Sequence, residues 1–373
     1  MRPILAAGLV MLVVACSSES SVGQGGSIIV AASGESFATT GYAFPPSPGQ
    51  EVFVVDGWEI KFTKVIVVIG RATLNASPDQ APADPSKFGA EVASLVGPFA
   101  VNLSKVGDVD DITGSSSKAW KLGTIDKKAD GSNLDAAERY AFSYDLEKAS
   151  DSVKELRGLD ASDADWEEMK TNGYTHFVTG TATFKADAAK CKSSKDGYDW
   201  SKLPTVVDFK FGFASPVQNL NCQNADLRGQ ALNGEDFQRG IQVKAGGSVT
   251  AQATFHLDHM FWQTIEHDVA VPHFDHIAAA AKKVGDKFTV SFDELSQTSI
   301  APVKDGSGNA LPWRSCVDES AYKLPTSPTE FTIGTEGNAD IMSIAAFVRF
   351  NASIMGHMNA EDGLCFVPEF AHR

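Results

Sequence analysis

Short apolar runs recur along this chain without a sustained helical period, which restricts it to a mainly β architecture. Residues 27–32 and 52–74 are rich in Val, Ile, Phe and Thr, and Gly57 and Gly70 interrupt the second run. Segments 99–103, 140–144, 176–184, 206–213 and 248–255 continue the pattern, separated by long polar connections. Such a series predicts an antiparallel β-sandwich, because alternating βαβ units would place helical stretches between the runs. Helical signals are fewer: 163–170 with Asp163 as its cap, the alanine-rich 273–283, and 339–358, whose apolar residues recur at helix spacing. The chain is therefore expected to hold a sandwich domain over 31–260, with a small helical part over 261–373 packed on it.

The N-terminus carries an export signal: Arg2, an apolar stretch over 4–14, and small residues ahead of Cys16. That stretch is too short to span a bilayer as a helix. Val13-Val14-Ala15-Cys16 matches the lipobox read by lipoprotein signal peptidase, so residues 1–15 are expected to be removed and Cys16 to carry the lipid. Residues 16–30, opening with Ser17-Ser18-Glu19-Ser20-Ser21, would then form a tether. Acyl chains contribute about 0.8 kcal/mol per buried CH₂, which holds a protein on a membrane without a transmembrane helix. Ser17 stands where an aspartate retains many lipoproteins at the inner membrane, so the expectation is an outer-membrane lipoprotein of the cell envelope. Its partners would be the membrane itself and an envelope protein or transporter. A formal charge of −15 argues against nucleic acid or an anionic lipid surface, both of which reward clustered Lys and Arg.

With Cys16 lipidated, Cys191, Cys222, Cys316 and Cys365 remain, an even number in an oxidising compartment. No C-x-x-C spacing points to a cysteine metal site, so disulfides are expected, each worth about 2–4 kcal/mol. Three pairings are open. Joining sequence neighbours, Cys191 with Cys222 and Cys316 with Cys365, would close loops of moderate length.

Five of the eight histidines fall between residues 256 and 276: His256, His259, His267, His273 and His276, interleaved with Asp258, Asp268 and Asp275. Histidine is the commonest transition-metal ligand, and a neighbouring carboxylate can ligate or orient the ring. In a strand running on from Ser248, alternation puts Thr254, His256 and Asp258 on one face. His259 joins them only if the strand ends there. His273 and His276, three apart at a helix start, share a face. The best ligands are His256, His259 and His273, followed by Asp258, His267 and His357; imidazole with carboxylate suits Zn²⁺ or Cu²⁺.

Other signatures lead elsewhere. Residues 288–295 resemble the exit half of a calcium-binding EF-hand, but counting back from Glu294 finds Lys283, Gly285 and Lys287 at the acidic positions. The helix–loop–helix shape is expected there without calcium. Asp305-Gly-Ser-Gly-Asn309 reads as a turn. His256-Leu-Asp-His259 resembles part of the H-x-H-x-D-H motif of metallo-β-lactamases, with Thr254 in place of the first histidine. No G-x-S-x-G elbow, Walker loop or dinucleotide fingerprint is present, so no nucleotide cofactor and no catalytic residue is assigned.

Asp56-Gly57-Trp58-Glu59-Ile60-Lys61-Phe62, residues 249–262 with the pattern T-x-H-x-D-H-x-F-W/Y, Phe274-Asp275-x-Ile277-Ala, the EF-like exit over 290–295, and Gly356-His357 followed by Cys365 resemble a family of uncharacterised predicted lipoproteins of myxobacterial type. The likeness spans most of the mature chain. It implies an extracytoplasmic sandwich and makes His256, Asp258, His259 and His357 shared positions, but it implies no activity. Three functions follow as expectations. The first is a non-enzymatic lipoprotein that binds a transition metal through the His/Asp cluster. The others are a surface module binding protein or glycan through Phe261 and Trp262, with structural histidines, and a metal-dependent hydrolase.

Overall fold

The computed structural model describes residues 25–50, 52–114, 117–227, 231, 235–265, 270–300, 303–317, 341–359 and 363–368. Cys16, with the rest of the export signal, and His267 lie outside the described residues. No helix among the described residues is long and apolar enough to cross a membrane.

The chain is mainly β, as its short apolar runs require. Its principal strands are β1 (Ser27–Ser33), β2 (Trp58–Asn75), β3 (Glu91–Asn102), β4 (Lys118–Ile125), β5 (Arg139–Leu146), β6 (His176–Phe184), β7 (Val206–Phe213), β8 (Ser248–Phe255), β9 (Lys287–Ser291) and β10 (Gly356–Met358). One sheet runs β10–β8–β1–β4, with β1 and β8 parallel and the outer pairings antiparallel. The larger sheet is built on the long strand β2. Its first half pairs with β6, which continues through β7 to β9, while its second half lies between β3 and β5.

Alternation along β2 shows how two layers arise from one strand. Val65, Val67 and Ile69 enter the main core, which also takes Ile28, Val30 and Ala32 from β1 and so fills the space between the sheets. Ile66 and Val68 point the other way and meet Trp166 and Met169 of helix α2 (Ala164–Asn172). That helix begins where Asp163 accepts from the Asp165 N–H, as the sequence predicts. The main core is continuous from Ile28 to Met358.

The last third combines short helices with strands that complete both sheets. Helix α3 (Asp275–Ala279) is much shorter than the predicted 273–283 helix, because residues 282–284 form a strand paired with β9. The turn joining them places Gly285 at φ 60°, a conformation open to glycine at little cost. The region resembling an EF-hand is therefore a β-hairpin followed by α4 (Phe292–Ser296), and not a helix–loop–helix. Glu294 bonds back to Ser291 in a capping box. Helix α5 (Ile344–Ser353), capped by Ser343, ends before Gly356, so His357 sits on β10 and not on a helix.

All four described cysteines are paired, but not as sequence neighbours: Cys191 bonds Cys316 and Cys222 bonds Cys365. Each bridge joins segments that are also paired through their backbones. Cys316 follows a strand residue paired with Lys192, and the segment holding Cys365 bridges to Leu220.

Candidate metal centre

Strands β1 and β8 run parallel, and their carboxyl ends lie side by side in register, Ser33 opposite Thr254. β8 stops at Phe255. His256 follows in extended backbone, and residues Leu257–Phe261 form a 3₁₀ turn. The turn decides the site: with three residues per turn, positions three apart superpose, so His256 and His259 face the same way. In a continued strand they would have diverged. β10 pairs antiparallel to β8 and sets His357 opposite Thr254, while the His256 N–H donates to Met355 O at 2.9 Å. The third imidazole thus arrives across a sheet edge.

The rings of His256 and His357 stack with centroids 4.3 Å apart and planes within 8°. His259 stands edge-on to both, at 5.9 and 5.4 Å. One ring nitrogen from each of the three lies within 4.8 Å of the others. His259 and His357 are buried, and His256 is partly exposed. Trp262 stacks on His259 at 3.6 Å and donates its indole N–H to Asp258 at 2.8 Å, locking the turn.

A polar network holds the strand ends beneath the rings. Ser33 Oγ donates to the Asp111 carboxylate, and Gln252 Nε2 donates to its other oxygen at 2.9 Å. Thr254 Oγ1 donates to Asn359 O at 2.9 Å, so the residue after β10 is fastened to β8. Burial opposes ionisation of Asp111, but its bonds from Ser33, Gln252 and Thr113 hold its pKa below the usual carboxylate value.

Two groups that sequence reasoning missed border the cluster. Glu35 leads helix α1 (Glu35–Thr40), one residue beyond the end of β1, and its Oε1 is 3.8 Å from His256 Nε2. Its backbone is left-handed at φ 57°, which costs a non-glycine residue about 1–3 kcal/mol. The adjacent Gly34 does not take that conformation; a Cβ there would meet Ala38 Cβ at 2.6 Å. The buried Tyr42 hydroxyl accepts from the Asp258 N–H, and burial, with Asp258 and Glu35 nearby, pushes its pKa well above the phenol range. Neither residue carries a sequence signal of its own; Glu35 is placed by the end of β1, and Tyr42 by its backbone pairing with Ile60 of β2.

The other predicted ligands have different roles. Asp258 accepts from Trp262. His273 belongs to a second, buried cluster, with its Nδ1 3.2 Å from Val271 O. There Asp275 accepts from Trp58 Nε1 at 2.8 Å and from Arg314 at 2.8 and 2.7 Å, and Arg314 stacks between Phe184 and Trp200. Asp56 Oδ2 accepts the N–H groups of Phe274 and Asp275, both at 2.8 Å. Burial lowers the pKa of His273 and, more strongly, that of His276. Phe261 and Trp262 are buried, so they do not form the aromatic surface that a glycan- or protein-binding module would present.

Among the described residues, His256, His259 and His357 are the one group of three that could hold a metal ion. Every described cysteine is in a disulfide, so the donors are imidazoles. Zn²⁺, Cu²⁺ and related first-row ions accept such a set. No family profile, no curated protein and no solved structure matches the chain.

Proposed function

We propose that this protein is a lipid-anchored protein of the bacterial envelope that binds a divalent transition metal through His256, His259 and His357 and takes part in metal acquisition or handling without catalysing a reaction. One observation carries the metal-binding reading: imidazoles from two segments about a hundred residues apart meet with their nitrogens within 4.8 Å. Tetrahedral ligands at Zn–N distances of about 2.0–2.1 Å stand roughly 3.3 Å apart, so small ring rotations close the site. The support for the compartment is separate: the lipobox ending at Cys16, and two disulfides, which persist where thiols are oxidised. The resemblance to myxobacterial-type lipoproteins agrees with that placement and names His357 among the shared positions.

The engaged Thr254 and Asp258 argue against the metallo-β-lactamase pattern, since both positions that would extend the motif hold the fold together instead. The test is metal analysis and zinc titration of protein purified without a histidine tag. About one equivalent of zinc or copper is expected, and it should be lost in a His256→Ala, His259→Ala double variant. Protein that takes up neither ion, or a double variant that binds as well as the wild type, would sink the reading.

A further inference from the structure

Three features converge on Glu35. It is the second residue after a strand end that lies beside the histidines, separated from it by Gly34 alone. Its carboxylate approaches His256, and its backbone occupies a left-handed conformation that a side chain other than glycine disfavours. The Glu35 N–H donates to Ser33 Oγ at 2.9 Å, and Ser33 is itself bonded to Asp111, so the strained turn is held from below. Strain kept in place by surrounding bonds is characteristic of residues that hold a ligand.

We propose that Glu35 is the fourth protein ligand of the metal centre, its carboxylate closing on the ion held by His256, His259 and His357. This rests on the metal-binding reading above. The resulting set is three nitrogens and one anionic oxygen. Its carboxylate has little affinity for monovalent copper, which prefers soft donors, so the site selects a divalent ion. The Glu35 oxygen is 3.8 Å from His256 Nε2, about 0.5 Å beyond the separation of neighbouring ligands in a tetrahedral zinc shell. The carboxylate lies outside the tight histidine group, and its side chain keeps 21% exposure, which leaves it room to turn inward when an ion binds.

The left-handed backbone supplies the control. Glycine adopts φ 57° without penalty. A residue with no part in binding could be replaced there by glycine without loss of zinc affinity, whereas a ligand would be lost by that same change.

The experiment compares the wild type with Glu35→Gln, Glu35→Gly and His357→Ala by zinc titration, cobalt(II) visible absorption and competition for copper(I). Glu35→Gln is expected to weaken zinc binding by about 10–100-fold, to change the cobalt spectrum, and to leave copper(I) affinity unchanged. Glu35→Gly should lose zinc affinity to a similar extent while melting no lower than the wild type in chelator. Wild-type zinc affinity and cobalt spectrum in Glu35→Gln would overturn the assignment. So would equal weakening for zinc and copper(I). A wild type that binds no ion, with His357→Ala indistinguishable from it, would instead defeat the metal-binding reading itself.

Discussion

The histidines of this protein form two groups close in sequence and opposite in character. His273 and His276 are enclosed beside Asp275, whose carboxylate is already bonded to an indole and bidentately to Arg314. Burial disfavours the charged imidazolium of both. His256, His259 and His357 face each other at the ends of parallel strands, with a partly exposed carboxylate alongside. Histidine density is thus a poor guide to ligation by itself. What marks a candidate ligand set among these histidines is that one ring nitrogen from each of three converges within 4.8 Å of the others.

The largest effect that would sharpen this contrast lies in the enclosed group. Arg314→Ala leaves the Asp275 carboxylate buried without its cation and should cost about 3–5 kcal/mol in denaturant unfolding, while zinc uptake by the folded fraction is retained. Loss of zinc binding in that variant would show that the two groups are not independent. Next comes His357→Ala, which should weaken zinc binding at least about 100-fold, or about 2.7 kcal/mol. His273→Ala should leave zinc affinity unchanged in the same chelator competition, and the reverse result would exchange the roles of the two groups. Zinc at about 100 times its dissociation constant should stabilise the wild type by about 2.7 kcal/mol and His357→Ala far less, read from melting temperatures.

A pH series reads the buried histidines, His176 on β6 included. Burial depresses His176 to about 3, and His273 and His276 shift in the same direction. Below the ordinary histidine value, near 6.5, the unfolded chain takes up protons that the folded chain refuses. Stability is therefore fully present above that pH and falls as pH drops toward 3, by at most about 1.4 kcal/mol per pH unit for each proton. His176→Asn should reduce that slope; an unchanged slope would exclude His176 from it. The smallest expected effect belongs to Asp258→Asn. Its amide oxygen still accepts from Trp262, so the variant should lose less than about 1 kcal/mol and bind zinc as before. A large loss of affinity would restore Asp258 as a ligand.

Much of the architecture was legible from short apolar runs, since period-two alternation and β-branched content are local properties. Helix α2 was legible for the same reason, through its Asp163 cap. The helices expected over 273–283 and 339–358 were overestimated. In both places apolar spacing suits a helix, yet partner strands were available and the chain ends paired with them. His256 and His259 could be read from their clustering, but their orientation could not, because it depends on β8 stopping one residue before His256.

The sequence by itself determined a mainly β chain with paired cysteines and a concentration of histidines near residue 260, since composition and local periodicity carry that information. Tertiary structure alone decided that Cys191 pairs with Cys316 and Cys222 with Cys365, that His357 joins the site while Asp258 and His273 do not, and that Glu35 stands beside it. The physical reason is common to all three. Each follows from which strand ends become neighbours in a sheet, and the parallel pairing of β1 with β8 joins residues more than two hundred positions apart, beyond the reach of any local pattern.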